Sequence, residues 1–250
     1  MKIVGIIPAR MGSSRFPGKP LALICGKTMI EHVYKRSAMS KALNDLYVAT
    51  CDSEIYDAVI KFGGKAIMTS DCHERCTDRI AQAVENTDAD IIVNIQGDEP
   101  LIFPEMIDQA LNPLLEDDTI VCSNLMAELK TDKEFEDPNE VKVVTDLEDY
   151  AIYFSREAIP SKKKGAKNVI GLKQVCVIPF RRDFLFKYTK LSPTPLEIIE
   201  SVDMLRAIEH GYKVKMVKTQ YETYSVDTRE DLKHVEEIMK TDELFRKYSR

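Results

Sequence analysis

Three positively charged side chains lie close together near the start of the chain, at Arg10, Arg15 and Lys19. The segment from residue 10 to residue 20 also contains two glycines and two prolines, and glycine lets a backbone approach a ligand closely. Arginine binds phosphate oxygens through two parallel hydrogen bonds, whereas lysine provides a compact positive charge. The segment therefore predicts a binding site for a compact polyanion such as a chain of phosphates. The alternative is a surface turn whose charges are incidental.

This segment departs from the two common phosphate-binding motifs. Five residues separate Gly12 from Gly18-Lys19, one more than in a P-loop, and Pro20 stands where a P-loop has Ser or Thr. The G-x-G-x-x-G fingerprint of dinucleotide-binding proteins is also missing from the segment.

Two aspartates follow predicted strands. Asp98 lies in Gln96-Gly97-Asp98-Glu99-Pro100, after an apolar run at residues 91–95 that predicts a buried strand. At such a strand end it could hold a cation beside a ligand, although Gly-Asp is also common in simple turns. Asp227 is a second acid at a strand-to-helix junction, where a capping box formed by Thr228 and Asp231 is the alternative explanation.

Alternating strands and helices are predicted to carry these groups. The first part of the chain predicts strands at 3–7, 46–49, 65–68 and 91–95, with helices at 28–36, at 53–62 and after Thr77 as an N-cap. Such alternation is typical of a layered α/β/α fold, in which ligands bind at the carboxyl ends of parallel strands.

From residue 120 this alternation stops. Strands at 121–129, 141–145, 151–155 and 171–180 follow one another without long helices, which predicts an antiparallel excursion at about residues 120–190. Residues 195–210 then predict an amphipathic helix that turns Leu196, Ile199, Leu205 and Ile208 inward. A strand at 213–217 and a helix at 229–239 complete the pattern. We interpret residues 1–250 as a single domain, since no Ser/Gly/Pro-rich linker divides them.

The composition excludes several classes of partner. A formal net charge of −6 disfavours binding to nucleic acid or to an acidic membrane surface. No apolar run reaches the length of a membrane span, and the chain passes from Met1-Lys2 directly into a predicted strand. We therefore expect a cytoplasmic protein with a small anionic ligand.

Four motifs, taken together and in this order, resemble those of the 3-deoxy-manno-octulosonate (KDO) cytidylyltransferases, the CMP-KDO synthetases. The motifs are Ile7-Pro8-Ala9-Arg10 through Pro17-Gly18-Lys19-Pro20-Leu21, Asn94-Ile95-Gln96-Gly97-Asp98-Glu99-Pro100, Val141-Lys142-Val143-Val144 with Tyr153-Phe154-Ser155-Arg156, and Val226-Asp227-Thr228. Their spacing extends the resemblance over nearly the whole chain.

The resemblance implies a glycosyltransferase-A-like nucleotide-diphospho-sugar transferase fold with a mixed, mostly parallel sheet. It also implies a homodimer in which the antiparallel excursion contributes to sugar binding and to the subunit contact. The implied reaction joins CTP and a 2-keto-3-deoxy sugar acid to give the CMP-sugar and pyrophosphate, with Mg²⁺ as cofactor. Such an activity belongs to the synthesis of lipopolysaccharide or another cell-surface polysaccharide.

Individual roles follow from the same resemblance. Arg10 and Lys19 would hold the CTP phosphates with help from Arg15, and Asp98 and Asp227 would hold magnesium. The backbone around Pro8 and Ala9, with Thr77 and Arg79, would face the nucleotide. Gln96 and Arg156 would face the sugar acid. No general base is evident among the residues.

The chain also departs from this family. Where the family has a His, the chain reads Gln174-Val175-Cys176, and where the family has Glu-Gln-Leu-Arg it reads Asp203-Met204-Leu205-Arg206. The family's Ser-Gly-Thr is Arg75-Cys76-Thr77 here. The first two places face the sugar in the family, so Gln174, Asp203 and Met204 are predicted acceptor contacts. A sugar acid other than KDO is therefore an alternative acceptor, and a non-catalytic nucleotide-binding relative is a further alternative.

Overall fold

The computed structural model describes residues 1–12, 16–73, 75–163, 165, 169–222 and 224–249. Its strands are, in chain order, β1 (Ile3–Ala9), β2 (Leu23–Ile24), β3 (Lys27–Thr28), β4 (Asp45–Thr50), β5 (Ala66–Met68), β6 (Ile91–Ile95), β7 (Ser123–Glu128), β8 (Lys142–Thr145), β9 (Ala151–Ser155), β10 (Leu172–Val175), β11 (Val177–Arg181) and β12 (Lys215–Lys218). Its α-helices are α1 (Met29–Ser37), α2 (Ser53–Lys61), α3 (Cys76–Val84), α4 (Pro104–Glu116), α5 (Asp132–Glu136), α6 (Arg182–Tyr188), α7 (Pro195–Glu200), α8 (Met204–Glu209), α9 (Arg229–Met239) and α10 (Glu243–Tyr248).

The chain forms two compact units, and the first comprises residues 1–108 and 223–250. Its strands run in the order β6-β1-β4-β5, and each neighbouring pair is parallel. Every residue of β1 and β6 is buried, as expected for parallel strands covered on both faces. Helix α1 begins at its predicted cap, because the Thr28 side chain accepts a hydrogen bond from the Glu31 amide. The predicted parallel sheet is thus confirmed.

The last part of the chain packs into this first unit. Val226, Val235 and Met239 join an apolar cluster with Phe16 and Leu101. Helix α9 begins with the predicted capping box, in which the Thr228 side chain accepts from the Asp231 amide. This packing holds the segment around Asp227 against residues from the first half of the chain, among them Phe16 and Leu101.

A fully buried arginine also fixes the carboxyl-terminal region. Arg36 donates to the backbone carbonyls of Leu101 and Ile102, and its Nη1 lies 2.7 Å from Asp242 Oδ1. These bonds satisfy a charge that would otherwise be costly to bury.

The second unit comprises residues 109–222. Its sheet has the order β12-β7-β10-β8-β9, with β12 parallel to β7 and the other neighbouring pairs antiparallel. The predicted antiparallel strands therefore form, and the chain has a mixed α/β fold. The interpretation as a single domain stays a prediction. Within the described residues, no helix has both the length and the apolar character to cross a membrane.

Three local predictions are wrong. The helix predicted at 195–210 is two helices, α7 and α8, separated at Ser201, which has a left-handed φ of 52°. Ile199 is 74% exposed because the buried face of α7 instead carries Glu197, whose carboxylate accepts two hydrogen bonds from Arg206, of 2.6 and 2.7 Å. These bonds raise the pKa of Arg206 despite its burial.

The other two differences concern where elements begin and end. The strand predicted at 171–180 is interrupted at Cys176, because β10 pairs with β7 and β8 whereas Phe180 bridges Cys122. Helix α3 has Arg75 rather than Thr77 at its N-cap, and the Arg75 carbonyl accepts from the Arg79 amide.

Candidate active site

A cavity of about 340 Å³ lies in the first unit, beside the carboxyl ends of β1 and β6. Strand ends of a parallel sheet are where such folds bind ligands. Eight of the sequence-predicted site residues line the cavity: Pro8, Ala9, Arg10, Lys19, Arg79, Gln96, Asp98 and Asp227. Thr77 is buried within α3 and is not among the lining residues, and Arg15 lies outside the described residues.

The cavity wall also contains residues that are not among the predicted site residues. These are Gly12, Pro20, Met29, His73, Arg75, Cys76 and Gly97. Arg75 and Cys76 stood out in the sequence only as departures from the family pattern, which was the available signal for both.

Lys19 joins the two predicted acids. Its Nζ lies 2.8 Å from Asp98 Oδ2 and 3.1 Å from Asp227 Oδ1, and the Lys19 side chain is only 13% exposed. Burial alone would lower the pKa of Lys19, but the charges and hydrogen bonds of Asp98, and then of Asp227, outweigh burial and raise that pKa. Lys19 is therefore held as an ammonium between two carboxylates that are far apart in the sequence.

A backbone hydrogen bond explains why these two acids meet. The Val226 amide donates to the Asp98 carbonyl over 2.9 Å, and the Val226 side chain is fully buried in the apolar cluster. Asp227 follows Val226 and directly precedes Thr228, the N-cap of α9. The Asp227 amide donates to Asp231 Oδ2 in the first turn of this helix. Packing of the carboxyl-terminal segment thus positions Asp227 beside Asp98.

Two glycines meet steric demands at this site. Gly97 lies where β1 and β6 end, and a Cβ there would be 3.0 Å from the Pro8 carbonyl oxygen. Gly18 has a φ of +72° at the start of the short 3-10 helix Lys19–Leu21, a conformation that favours glycine. Gly18 also donates its amide to the Met11 carbonyl over 3.0 Å, a bond that closes the predicted phosphate-binding segment at residues 10–19, the basic loop.

Arg79 and Gln96 belong to the other wall of the cavity. Arg79 is nearly buried, and its Nη1 donates to Thr69 Oγ1 and to the Ser70 carbonyl over 2.5 and 3.2 Å. Gln96 Nε2 lies 3.7 Å from Cys76 Sγ, at the first residue of α3. These contacts fix the segment that leads into α3 against the end of β6.

The remaining predicted residues lie in the second unit, where Arg156 bonds to the backbone. Arg156 donates from Nε to the Glu200 carbonyl, from Nη1 to the Pro138 carbonyl and from Nη2 to the Ser201 carbonyl, over 2.6, 2.9 and 3.4 Å. The guanidinium of Arg156 therefore ties the backbone at Pro138 to the backbone at Glu200 and Ser201.

The Glu200 carboxylate completes this cluster. It accepts hydrogen bonds from the Arg156 amide, from Ser155 Oγ and from the Tyr153 hydroxyl. Burial would raise the pKa of Glu200, but these donors, the Arg156 amide first, lower it.

Gln174 has a defined amide orientation. Asn124 Nδ2 donates to the Val175 and Leu125 carbonyls, so Asn124 Oδ1 is left as the acceptor that receives Gln174 Nε2 over 2.6 Å. Gln174 consequently turns Oε1, a hydrogen-bond acceptor, away from Asn124.

Asp203 and Met204 stand at the start of α8. The Asp203 carbonyl accepts from the Tyr188 hydroxyl over 2.7 Å, and the Met204 side chain is 1% exposed. Met204 thus packs into the interior of the second unit.

A charged cavity at the carboxyl ends of a parallel sheet is the arrangement found in nucleotide-binding α/β proteins. This chain belongs to the cytidylyltransferase family, whose family model matches residues 4–219. Cytidylyltransferases are a kind of nucleotidyltransferase, so the chain is an enzyme of that type.

Relatives agree with this assignment over nearly the whole chain. The chain is 47% identical to the 3-deoxy-manno-octulosonate cytidylyltransferase of Geotalea uraniireducens, covering 96% of this chain and 100% of the relative. It is 48% identical to the protein of that name from Fusobacterium nucleatum, covering 94% of this chain and 96% of the relative.

A solved structure is similar throughout. The CMP:2-keto-3-deoxy-manno-octonic acid synthetase complexed with CTP superimposes with a TM-score of 0.91 at 38% identity, covering 96% of this chain and 99% of that chain. A cytidylyltransferase from Leptospira borgpetersenii, with a TM-score of 0.64 and 20% identity, shares the fold. The predicted resemblance and fold class are confirmed.

Proposed function

We propose that this protein transfers a cytidylyl group from CTP to KDO, giving CMP-KDO and pyrophosphate. The observation that carries this proposal is the convergence of Arg10, Lys19, Asp98 and Asp227 on one cavity at the strand ends. The relatives named KDO cytidylyltransferases and the similar synthetase solved with CTP support the choice of both substrates. The product would serve lipopolysaccharide synthesis.

Charge dominates the chemistry of this reaction. The anomeric hydroxyl of the sugar acid attacks the α-phosphorus of CTP and releases its proton to solvent. A new P–O bond forms while the bond from the α-phosphorus to the bridging oxygen breaks and pyrophosphate leaves. Positive charge beside the phosphates and in-line positioning of the two oxygens are the main requirements. Arg10 and Lys19 are the side chains we assign to the phosphates. No covalent intermediate on the protein is needed.

We assign Asp98 and Asp227 to Mg²⁺. The donor set fits this ion, because Mg²⁺ is usually bound by one or two carboxylates together with substrate phosphates. Both carboxylates approach the Lys19 ammonium, so they already face a common point. Among the described residues, no group of three or more His, Cys, Asp or Glu gathers around one point. When bound, Mg²⁺ supplies positive charge to the reacting phosphates.

The remaining assignments follow the resemblance. We assign Pro8, Ala9, Arg15, Thr77 and Arg79 to the nucleotide, and Gln96, Arg156, Gln174, Asp203 and Met204 to the acceptor. We also propose a cytoplasmic homodimer. Large exposed apolar side chains of the second unit, at Ile152, Ile198 and Ile199, support a subunit contact there.

One assay tests the substrates together. Purified protein with Mg²⁺ is given each of the four nucleoside triphosphates and a panel of sugar acids, and pyrophosphate release is measured. We expect release only with CTP and the highest kcat/KM with KDO. A higher kcat/KM for a different sugar acid would support the alternative acceptor that Gln174 and Asp203 suggest, and no release with any pair would overturn the proposal.

A further inference from the structure

Met11 is held from both sides at the base of the basic loop. Its amide donates to Asp52 Oδ2 over 2.8 Å, and its carbonyl accepts from the Gly18 amide over 3.0 Å. The bond between Gly18 and Met11 closes the basic loop. The bond between Met11 and Asp52 attaches the loop to the segment that follows β4. The neighbours of Met11 on either side, Arg10 and Gly12, both line the cavity.

The parallel sheet explains how Asp52 reaches this amide. Ala9 lies opposite Thr50 in the register of β1 and β4, so the two chains leave the sheet side by side. Two residues beyond each of these positions stand Met11 and Asp52. The carboxylate of Asp52 therefore spans the gap between two adjacent strand ends.

The Asp52 side chain is not used to cap the helix that follows it. Asp52 occupies the N-cap position of α2, yet its side chain makes no capping hydrogen bond. Among the described residues, the one further contact to Asp52 Oδ2, besides the Met11 amide, is a long one of 3.7 Å from Cys51 Sγ. The carboxylate is thus available to the loop, and removing it takes no capping hydrogen bond from α2.

We propose that Asp52 is a positioning residue for the phosphate-binding loop. It is absent from the cavity wall and acts through the Met11 amide, fixing the peptide plane between Arg10 and Met11 and hence the direction in which Arg10 leaves the backbone. A hydrogen bond to an ionised carboxylate is about twice as strong as a neutral one, so this bond is a firm anchor. The inference rests on the proposed function in taking phosphates as the ligand of the loop.

Two variants of Asp52 separate positioning from folding. In Asp52→Ala the Met11 amide loses its acceptor, whereas in Asp52→Asn a neutral oxygen can still accept from it. Asp57→Ala, an exposed carboxylate in the middle of α2, is the matched control. Thermal unfolding of all three, compared with the wild type, reports any general loss of structure.

Calorimetry with CTP and with pyrophosphate, each with Mg²⁺, and steady-state assays with CTP and KDO test the proposal. For Asp52→Ala we expect the Kd for CTP, the Kd for pyrophosphate and the KM for CTP each to rise roughly tenfold or more. This is the loss of affinity expected when a hydrogen bond to a charged group is removed. The KM for KDO should stay unchanged. Asp52→Asn should recover most of the affinity, and Asp57→Ala should match the wild type.

Other outcomes would overturn the inference. An unchanged Kd for pyrophosphate in Asp52→Ala would do so, as would an equal loss in Asp52→Asn together with a lowered Tm, which would indicate a structural role. A third outcome separates the two proposals. If Asp52→Ala binds pyrophosphate more weakly than the wild type, but the wild type does not turn over CTP and KDO, the positioning role stands and the proposed function fails. A wild type that binds neither phosphate would overturn both.

Discussion

The polar side chains of the two units have different kinds of bonding partners. In the first unit, Lys19, Asp98 and Asp227 face one another at a cavity, where a ligand can enter the network. In the second unit, Arg156 and Glu200 bond to each other's backbone and to neighbouring groups. The first arrangement is typical of a site that binds charge, and the second of a scaffold that fixes backbone segments. We therefore expect substitutions in the two units to change different measured properties of the protein.

The largest effect is expected at Asp98. Asp98→Asn leaves the side chain size unchanged but removes one of the two charges beside Lys19. Loss of one electrostatic group in an active site typically costs about 10²–10³ in kcat, and we expect a fall of that order in pyrophosphate release from CTP and KDO. The fully exposed Asp118 supplies the control Asp118→Asn. Unchanged turnover in Asp98→Asn would favour a non-catalytic nucleotide-binding protein.

At Arg156 we expect a loss of stability. Arg156→Ala removes three hydrogen bonds to backbone carbonyls, which should lower the free energy of unfolding by about 1–3 kcal/mol. Urea denaturation measures this change, and Arg156→Lys should recover little because lysine lacks the forked donor geometry. A raised KM for KDO at unchanged stability would instead indicate direct contact between Arg156 and the acceptor.

A smaller and more selective effect is expected at Gln174. Gln174→Glu replaces the amide that donates to Asn124 with a carboxylate, which would face the Asn124 oxygen and add negative charge at the contact we propose for the acidic acceptor. We expect the KM for KDO to rise roughly tenfold, corresponding to about 1.4 kcal/mol, with the KM for CTP unchanged. Kinetics with each substrate varied in turn measure the split, and a change in the KM for CTP alone would contradict it.

The smallest effect concerns pH and the scaffold of the first unit. Burial lowers the pKa of His32, which bonds to the Ile24 carbonyl and the Tyr248 hydroxyl, so this imidazole takes up a proton less readily in the folded protein than in the unfolded chain. The unfolded chain therefore binds more protons, so His32 reduces stability as pH falls below the ordinary histidine pKa of about 6.5. Urea denaturation from pH 7.5 to pH 5 should show a smaller loss in His32→Gln than in the wild type. Equal losses would contradict this role.

Much of the first unit could be predicted because its signals are local. The apolar run of β6, the Thr28 cap and the box formed by Thr228 and Asp231 each depend on neighbouring residues. Arg10, Lys19 and Asp98 were also identifiable, since a bound polyanion requires cationic side chains and an acid at a strand end can hold a cation, whereas the charge of Arg75 in the cavity wall was not predicted.

Other features depend on contacts between distant residues. The buried pair of Glu197 and Arg206 interrupts an apolar stripe that predicts a single long helix. The bond from Met11 to Asp52 follows from the register of β1 against β4, which local patterns do not specify. The same limit applies to Gln174, whose orientation is set by Asn124 across the sheet.

The most direct test of the proposed function compares the wild type with Asp227→Asn in one assay, with CTP, KDO and Mg²⁺, measuring CMP-KDO and pyrophosphate together. We predict that the wild type forms the two products in equal amounts and that Asp227→Asn forms both at least about 10²-fold more slowly. Equal rates in the two proteins, or CTP consumption by the wild type without CMP-KDO, would contradict the assignment of the cavity as a cytidylyl transfer site.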